Sequence, residues 1–221
     1  MIRNIIFDFG GVLLDLAPER CKAAFRRLGF AEIDSLLGMT HQKGILDAME
    51  RGQSTVPAFC DEIRRSLPQP ASDDEILTAW RSMADGIPPY RLDFIAELKA
   101  EGYRVSALSN TNVVHWTHCR PMFLAAGYEP ERLFEHVWLS YELQLAKPNP
   151  EIFRRILALS GYRPEETLFV DDSPLNCRAA EAEGLRTLTP AMTARPSDYG
   201  PQQVCADWRP ALRAALGASA S

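Results

Sequence analysis

Asp8 ends the short apolar run Asn4-Ile5-Ile6-Phe7 and is followed closely by Gly10-Gly11. Three more polar islands follow predicted strands or turns: Ser109-Asn110 after Val105 to Leu108, Lys147 within Ala146-Lys147-Pro148, and Asp171-Asp172 after Leu168-Phe169-Val170. A carboxylate beside glycines can offer a side-chain oxygen and a main-chain carbonyl to one cation. Adjacent carboxylates repel one another unless a cation or a basic group neutralises them. Each island also has an ordinary reading: a turn-opening aspartate, a solvated acidic loop, a turn, a surface lysine. As a set they combine carboxylates, neutral donors and one ammonium.

The elements that position these islands alternate between strand and helix. Predicted strands cover Asn4 to Phe7, Val105 to Leu108, Val137 to Leu139, Thr167 to Val170 and Arg186 to Leu188. Between them run helical patterns, including Pro150 to Leu159 and Pro174 to Glu183; Asn149-Pro150 and Ser173-Pro174 supply a capping side chain followed by proline. Such alternation predicts a mostly parallel, Rossmann-like, doubly wound α/β sheet covered on both faces. In that architecture the ligand crevice lies beyond the carboxyl ends of the strands, which is where the islands fall.

From about Pro18 to Ile87 the pattern is helical throughout, with apolar repeats such as Phe59, Ile63 and Leu67 and no convincing strand. This predicts an inserted all-helical cap. The expected division is an α/β core of residues 1–16 and 88–200, a cap of 17–87, and a C-terminal extension of 201–221 with a short helix around Trp208 to Leu216.

Composition narrows the functional classes. The chain has 221 residues, 46% of them hydrophobic, and a net charge of -5. That charge gives no electrostatic reason to expect nucleic acid or an anionic membrane as partner. Five scattered cysteines with no Cys-x-x-Cys pair argue against a disulfide framework and fit a reducing cytoplasm. No uninterrupted apolar segment approaches the ~18 residues of a membrane span.

The four islands resemble, in order, the signature segments of the haloacid dehalogenase-like (HAD) hydrolase superfamily. Phe7-Asp8-Phe9-Gly10-Gly11-Val12-Leu13 matches the first, Leu108-Ser109-Asn110-Thr111 the second, Ala146-Lys147-Pro148-Asn149-Pro150 the third and Phe169-Val170-Asp171-Asp172-Ser173 the fourth. The wording is similar to a branch containing sugar-phosphate phosphatases and the phosphatase domain of soluble epoxide hydrolase. The resemblance implies a phosphatase acting on a small phosphorylated molecule, with Asp8 as the nucleophile that forms an aspartyl-phosphate. It further implies a magnesium ion held by Asp8, the Gly10 carbonyl and Asp172, with Asp171 a direct or water-mediated ligand. Hard oxygen donors without clustered His or Cys suit magnesium better than zinc. The Ser109 hydroxyl and the Asn110 amide would donate to the phosphoryl oxygens, and Lys147 would neutralise charge on the nucleophile and the transferred group.

One position departs from the family's usual pattern. Gly10 stands where most members place a second aspartate, the acid that protonates the leaving oxygen. Asp15 and His115 are the nearest sequence candidates for a substitute; alternatively, the substrates carry good leaving groups. His41-Gln42-Lys43 and Glu50-Arg51-Gly52 are the cap segments that could line the cleft, although solvated helix faces read the same way. A haloacid dehalogenase would need no metal and would not explain the Asp171-Asp172 pair; a catalytically weak phospho-ligand binder is the rival from outside catalysis. Oligomeric state is open between monomer and homodimer.

Overall fold

The computed structural model describes residues 1–38 and 42–217. The chain enters β1 (Asn4–Phe7), turns into β2 (Asp15–Leu16), and passes through α1 (Pro18–Arg27), α2 (Ile33–Leu36), α3 (Gly44–Glu50), α4 (Val56–Arg65) and α5 (Asp73–Arg81) before returning through β3 (Ala84–Gly86). It then runs through α6 (Pro89–Ala100), β4 (Arg104–Ser109), α7 (Val113–Ala125), α8 (Pro130–Leu133), β5 (Val137–Leu139) and α9 (Ser140–Leu143). After α10 (Pro150–Ser160) come β6 (Thr167–Val170), α11 (Pro174–Ala182), β7 (Arg186–Leu188), β8 (Met192–Arg195), β9 (Gln202–Cys205) and α12 (Arg209–Gly217).

The central sheet has the order β5-β4-β1-β6-β7 with every pair parallel. Strand residues alternate between two cores, as a period of two requires. Ile5 and Phe7, Val105 and Ala107, and Leu168 and Val170 join one cluster, packed with Leu92, Phe123 and Trp208. Ile6, Leu108 and Phe169 join the other, with Ile152, Phe153 and Ile156. Register pins this arrangement, because Ile6 pairs with Ser106 on one side and Phe169 on the other. The chain leaves β1 for β4 and β5 on one side and later fills β6 and β7 on the other. The carboxyl ends of β1, β4 and β6 therefore open onto a topological switch point.

Helices α1 to α5 build their own core around Phe25, Leu46, Phe59, Ile63, Ile76 and Trp80, joined from the α/β side by Val114. Short caps explain where these helices start: Ser72 and Glu75 form a reciprocal capping box on α5, and Thr55 caps α4. Two connecting strands had no strand signal in the sequence. β2 and β3 pair antiparallel as the neck of the helical insertion. β3 is only Ala84-Asp85-Gly86 with one buried residue, so it carries no apolar alternation to read. Arg20 holds the neck by donating to the Ser82 and Ala84 carbonyls at 2.8 and 2.7 Å and to Asp85 at 2.7 Å.

The Pro- and Ser-rich tail likewise forms an antiparallel hairpin, β8 with β9, spanning residue 200, where the core was expected to end. It braces the neck through Gln202, which donates to the Leu16 carbonyl, and through Arg195, which pairs with Asp15 and Asp85. Trp208, at the entry to α12, packs 5.1 Å from Phe7 and donates to the Val12 carbonyl.

Candidate active site

Three carboxylates meet at the switch point. Oxygens of Asp8, Asp171 and Asp172 lie within 4.8 Å of one another. β1 delivers Asp8, whose N–H bonds the Val170 carbonyl at 2.8 Å and so ties the ends of β1 and β6 together. β6 delivers the acidic pair.

Lys147 reaches into the same space from the loop before α10 and is only 1% exposed. Its Nζ lies 2.8 Å from Asp8 Oδ1 and 2.7 Å from Asp171 Oδ2, and donates to the Leu108 carbonyl at 3.0 Å. Burial alone would lower the pKa of this ammonium, but Asp171 and Asp8 more than offset it and hold it above the usual lysine value. Lys147 is therefore charged, and its hydrogen-bonding capacity is committed.

The two aspartates expected as metal ligands differ sharply in environment. Asp171 is fully buried; Oδ1 accepts from the Ser173 N–H at 2.8 Å and Asn176 Nδ2 at 3.0 Å, while Oδ2 accepts from Lys147 and Asn176. Asp172 is turned towards the cavity, with burial and the neighbouring Asp171 pushing its pKa up to about 6. Burial likewise raises the pKa of Asp8; Lys147 opposes the shift, and Asp171 and Asp172 add to it. A nearby cation would offset the upward shift of both cavity-facing carboxyls, and their oxygens suit a hard divalent ion. Asp8, Asp172 and the Gly10 carbonyl on the cavity wall fit that group better than Asp171, whose oxygens already accept four hydrogen bonds from three donors.

Gly11 shows how tightly the turn is drawn. It sits at φ +86°, and a Cβ built on it would come within 2.5 Å of Asp172 Oδ2. Glycine is needed here both for conformation and for the close approach.

Ser109 ends β4, is 2% exposed and lines the cavity. Asn110 departs from the role expected of its side chain. Its Nδ2 donates to the Lys147 carbonyl and its Oδ1 accepts from the Lys147 N–H, both at 2.8 Å. The amide is thus a clasp that positions Lys147 rather than a free donor for an anion.

Neither sequence candidate for a substitute acid is free. Asp15 is ion-paired with Arg91 at 2.8 Å and Arg195 at 3.2 Å in the neck and is not part of the cavity wall. His115 does line the cavity, but Nε2 donates to the Trp80 carbonyl at 2.9 Å and Nδ1 accepts from Asn112 at 3.3 Å. Burial holds its pKa down at about 4, so the ring is neutral and stacks on Trp80 with centroids 4.5 Å apart. His115 therefore ties α7 to α5. His118 lies away from this cavity, on a shallow groove with Val113 and Pro121.

The cap closes the cavity from above with Gln42, Glu50 and Met83. His41 of the polar run lies outside the described residues, and Arg51 turns to Asp47 at 2.9 Å. Asn176, which no motif pointed to, came from the structure: its one useful signal was a position one helical turn beyond a capping serine. The cavity holds about 120 Å³ of free space beneath the cap and opens to solvent at its mouth.

This geometry has close counterparts. A D-ribitol-5-phosphate phosphatase from Bacteroides thetaiotaomicron is 35% identical over 192 residues, 86% of this chain and 92% of the relative. A HAD family enzyme from the same organism, solved with magnesium and inorganic phosphate, superposes with a TM-score of 0.80 at 40% identity, covering 86% of this chain and 95% of that one. A HAD-like family hydrolase from Porphyromonas gingivalis gives a TM-score of 0.84 at 34% identity, covering 98% of each chain. The family model for haloacid dehalogenase-like hydrolases matches residues 2–184, which takes in all four islands and the helical insertion. The chain belongs to the haloacid dehalogenase-like hydrolase family.

Proposed function

We propose that this protein is a magnesium-dependent phosphatase that hydrolyses a small phosphomonoester, with a sugar or polyol phosphate as substrate. The observation that carries the reading is the convergence of Asp8, Lys147 and Asp172 at the floor of one cavity. The similar phosphatase from Bacteroides thetaiotaomicron and the related structure holding magnesium and phosphate support it.

Asp8 is the nucleophile. Its Oδ1 is held by Lys147 and by the Phe9 N–H at 2.6 Å, which fixes the carboxylate against the sheet end. Attack on phosphorus gives an aspartyl-phosphate, and water then releases phosphate, dividing one difficult displacement into two. The Ser109 hydroxyl, on the cavity wall, would donate to a phosphoryl oxygen. Asp8, Asp172 and the Gly10 carbonyl would hold magnesium, which supplies positive charge against the repulsion between a carboxylate and a phosphoryl dianion. Asp171 and Asn176 keep Lys147 and the acidic loop in place. Gln42 Oε1 is buried without a partner among the described residues on the cavity side of the cap, and a substrate hydroxyl would satisfy it.

Helices α1 to α5 act as the cap that excludes water and selects the alcohol portion. Five buried, unpaired cysteines suit a reducing cytoplasm. No helix among the described residues is long and apolar enough to cross a membrane.

The test is phosphate release from ribitol 5-phosphate and a panel of sugar phosphates, with and without magnesium, for the intact protein and Asp8→Asn. Turnover that needs magnesium and disappears in Asp8→Asn is the expected result. Tight binding of these phosphates without turnover of any would instead favour a phospho-ligand binding role.

A further inference from the structure

Cleaving an alkyl phosphate creates a strongly basic alkoxide, so some group in the cavity must hand it a proton. Among the described residues, the titratable side chains on the cavity wall are Asp8, Asp172, Lys147, His115, Cys119 and Glu50. On the phosphatase reading Asp8 is the nucleophile and Asp172 would hold the cation. Lys147 is locked between two carboxylates and a carbonyl, and both ring nitrogens of His115 are committed. Burial pushes the Cys119 thiol up to about 12, too weak an acid for the task. Glu50 remains. It is 9% exposed, and no hydrogen bond or ion pair to its carboxyl is found among the described residues.

The backbone of Glu50 is also fixed over the site. Its carbonyl accepts from Ser140 Oγ at 2.6 Å, and the Ser140 hydroxyl oxygen in turn accepts from the Thr111 N–H at 2.9 Å, two residues beyond Ser109. Just past Glu50, Gly52 (φ +65°) lies so close to the Tyr141 carbonyl that a Cβ there would overlap it. The end of α3 is thus latched to the loops after β4 and β5, beside the sheet ends, and Glu50 lines the same cavity as Asp8, Ser109 and Lys147.

The geometry points to Glu50 as the general acid and base of this phosphatase, a catalytic residue contributed by the cap in place of a second carboxylate beside Asp8. The inference rests on the phosphatase reading. In the first step an Asp8 carboxylate oxygen bonds to phosphorus, the ester P–O bond breaks with its electron pair leaving on the alcohol oxygen, and the Glu50 proton moves to that oxygen. In the second step the Glu50 carboxylate takes a proton from water as the water oxygen bonds to phosphorus. The Asp8–phosphorus bond then breaks, and both residues return to their starting state.

The surroundings suit this cycle. Burial and the nearby Asp47 raise the Glu50 pKa to about 8 against the opposing pull of Arg51 and Lys147, so the resting group carries its proton at neutral pH. Among the described residues, Lys43, the residue before α3, and Tyr141, on α9, are the further titratable groups near it.

The experiment compares p-nitrophenyl phosphate, whose leaving group needs no proton, with an alkyl ester such as ribitol 5-phosphate, for the wild type, Glu50→Gln and Glu50→Asp. Glu50→Gln should lower kcat/KM on the alkyl ester, which reports transfer to Asp8 alone, ~10²–10⁴-fold, the usual worth of a positioned acid, while kcat/KM for the aryl ester falls less than ~10-fold. The fall in alkyl kcat/KM above about pH 8 should vanish in Glu50→Gln. Glu50→Asp should recover part of the alkyl rate. Equal losses on both esters, or an unchanged basic limb, would overturn the inference while leaving the phosphatase reading intact. If the wild type cleaves neither ester, both fall together. Should Glu50→Gln not fold, the wild type alone decides: a basic limb for alkyl but not aryl turnover supports the role, and identical profiles refute it.

Discussion

Lys147 Nζ bridges Asp8 Oδ1 at 2.8 Å and Asp171 Oδ2 at 2.7 Å, joining two strand ends through a single buried cation. Asn110 clasps the Lys147 backbone from the end of a third strand, so three of the four polar islands meet on one residue. The same ammonium balances the nucleophile and holds the acidic loop.

Removing that charge should damage both stability and chemistry. Lys147→Met leaves two buried carboxylates without their partner, a change of a kind that costs ~3–5 kcal/mol. Urea unfolding should register the loss, and activity should fall below detection. Normal stability with lost activity would confine Lys147 to catalysis alone.

Magnesium should stabilise the protein, and the two aspartates should respond differently. At a magnesium concentration 100 times Kd, binding adds about 2.7 kcal/mol, visible as a rise in Tm. Asp172→Asn should abolish that rise with little effect on the metal-free protein. Asp171→Asn should instead lower the metal-free Tm, because it disrupts the bonds from Ser173, Asn176 and Lys147. The reverse pattern would exchange their roles.

Two glycines test close approach rather than flexibility. In Gly11→Ala the new methyl collides with the Asp172 carboxylate at a backbone angle alanine avoids, so magnesium affinity should drop sharply in a calorimetric titration. In Gly52→Ala the methyl meets the Tyr141 carbonyl and prises the end of α3 from the core. KM for the alkyl ester should rise, and Ser140→Ala should give a milder version through loss of the hydroxyl between Thr111 and Glu50.

His115 predicts an acid-sensitive link between the insertion and the core. Its folded pKa of about 4 lies below the ~6.5 of an unperturbed imidazole. Below the unfolded value the unfolded chain binds a proton that the folded protein refuses. Its contribution is thus intact above about pH 6.5 and is lost as pH falls towards 4, at up to ~1.4 kcal/mol per pH unit. Denaturation at pH 7 and pH 5 should show a smaller difference for His115→Gln than for the wild type. An equal difference would place the acid sensitivity elsewhere.

Local chemistry wrote much of this molecule into its sequence. Apolar runs ending in Asp8, Ser109 and Asp171 marked strands whose ends carry chemistry, because a buried parallel strand is continuous hydrophobic sequence and its polar residues can only begin where the sheet stops. Asn149-Pro150 and Ser173-Pro174 announced helix starts, and both caps are formed. The apolar period of the insertion foretold a helical cluster around Phe59 and Trp80.

What only the tertiary structure decided are the commitments of polar atoms. Asn110 and His115 are chemically able donors in the sequence, yet in the fold each is spent on a partner far along the chain, Lys147 and Trp80. Glu50 reads as the polar end of an exposed helix until the Ser140 and Tyr141 contacts bury it over the cavity. The strands β3, β8 and β9 are too short or too polar to show a period and exist because β2 and one another supply partners. Residue type says which bonds a side chain can make; only the folded chain determines which of them are already taken and which remain for a substrate.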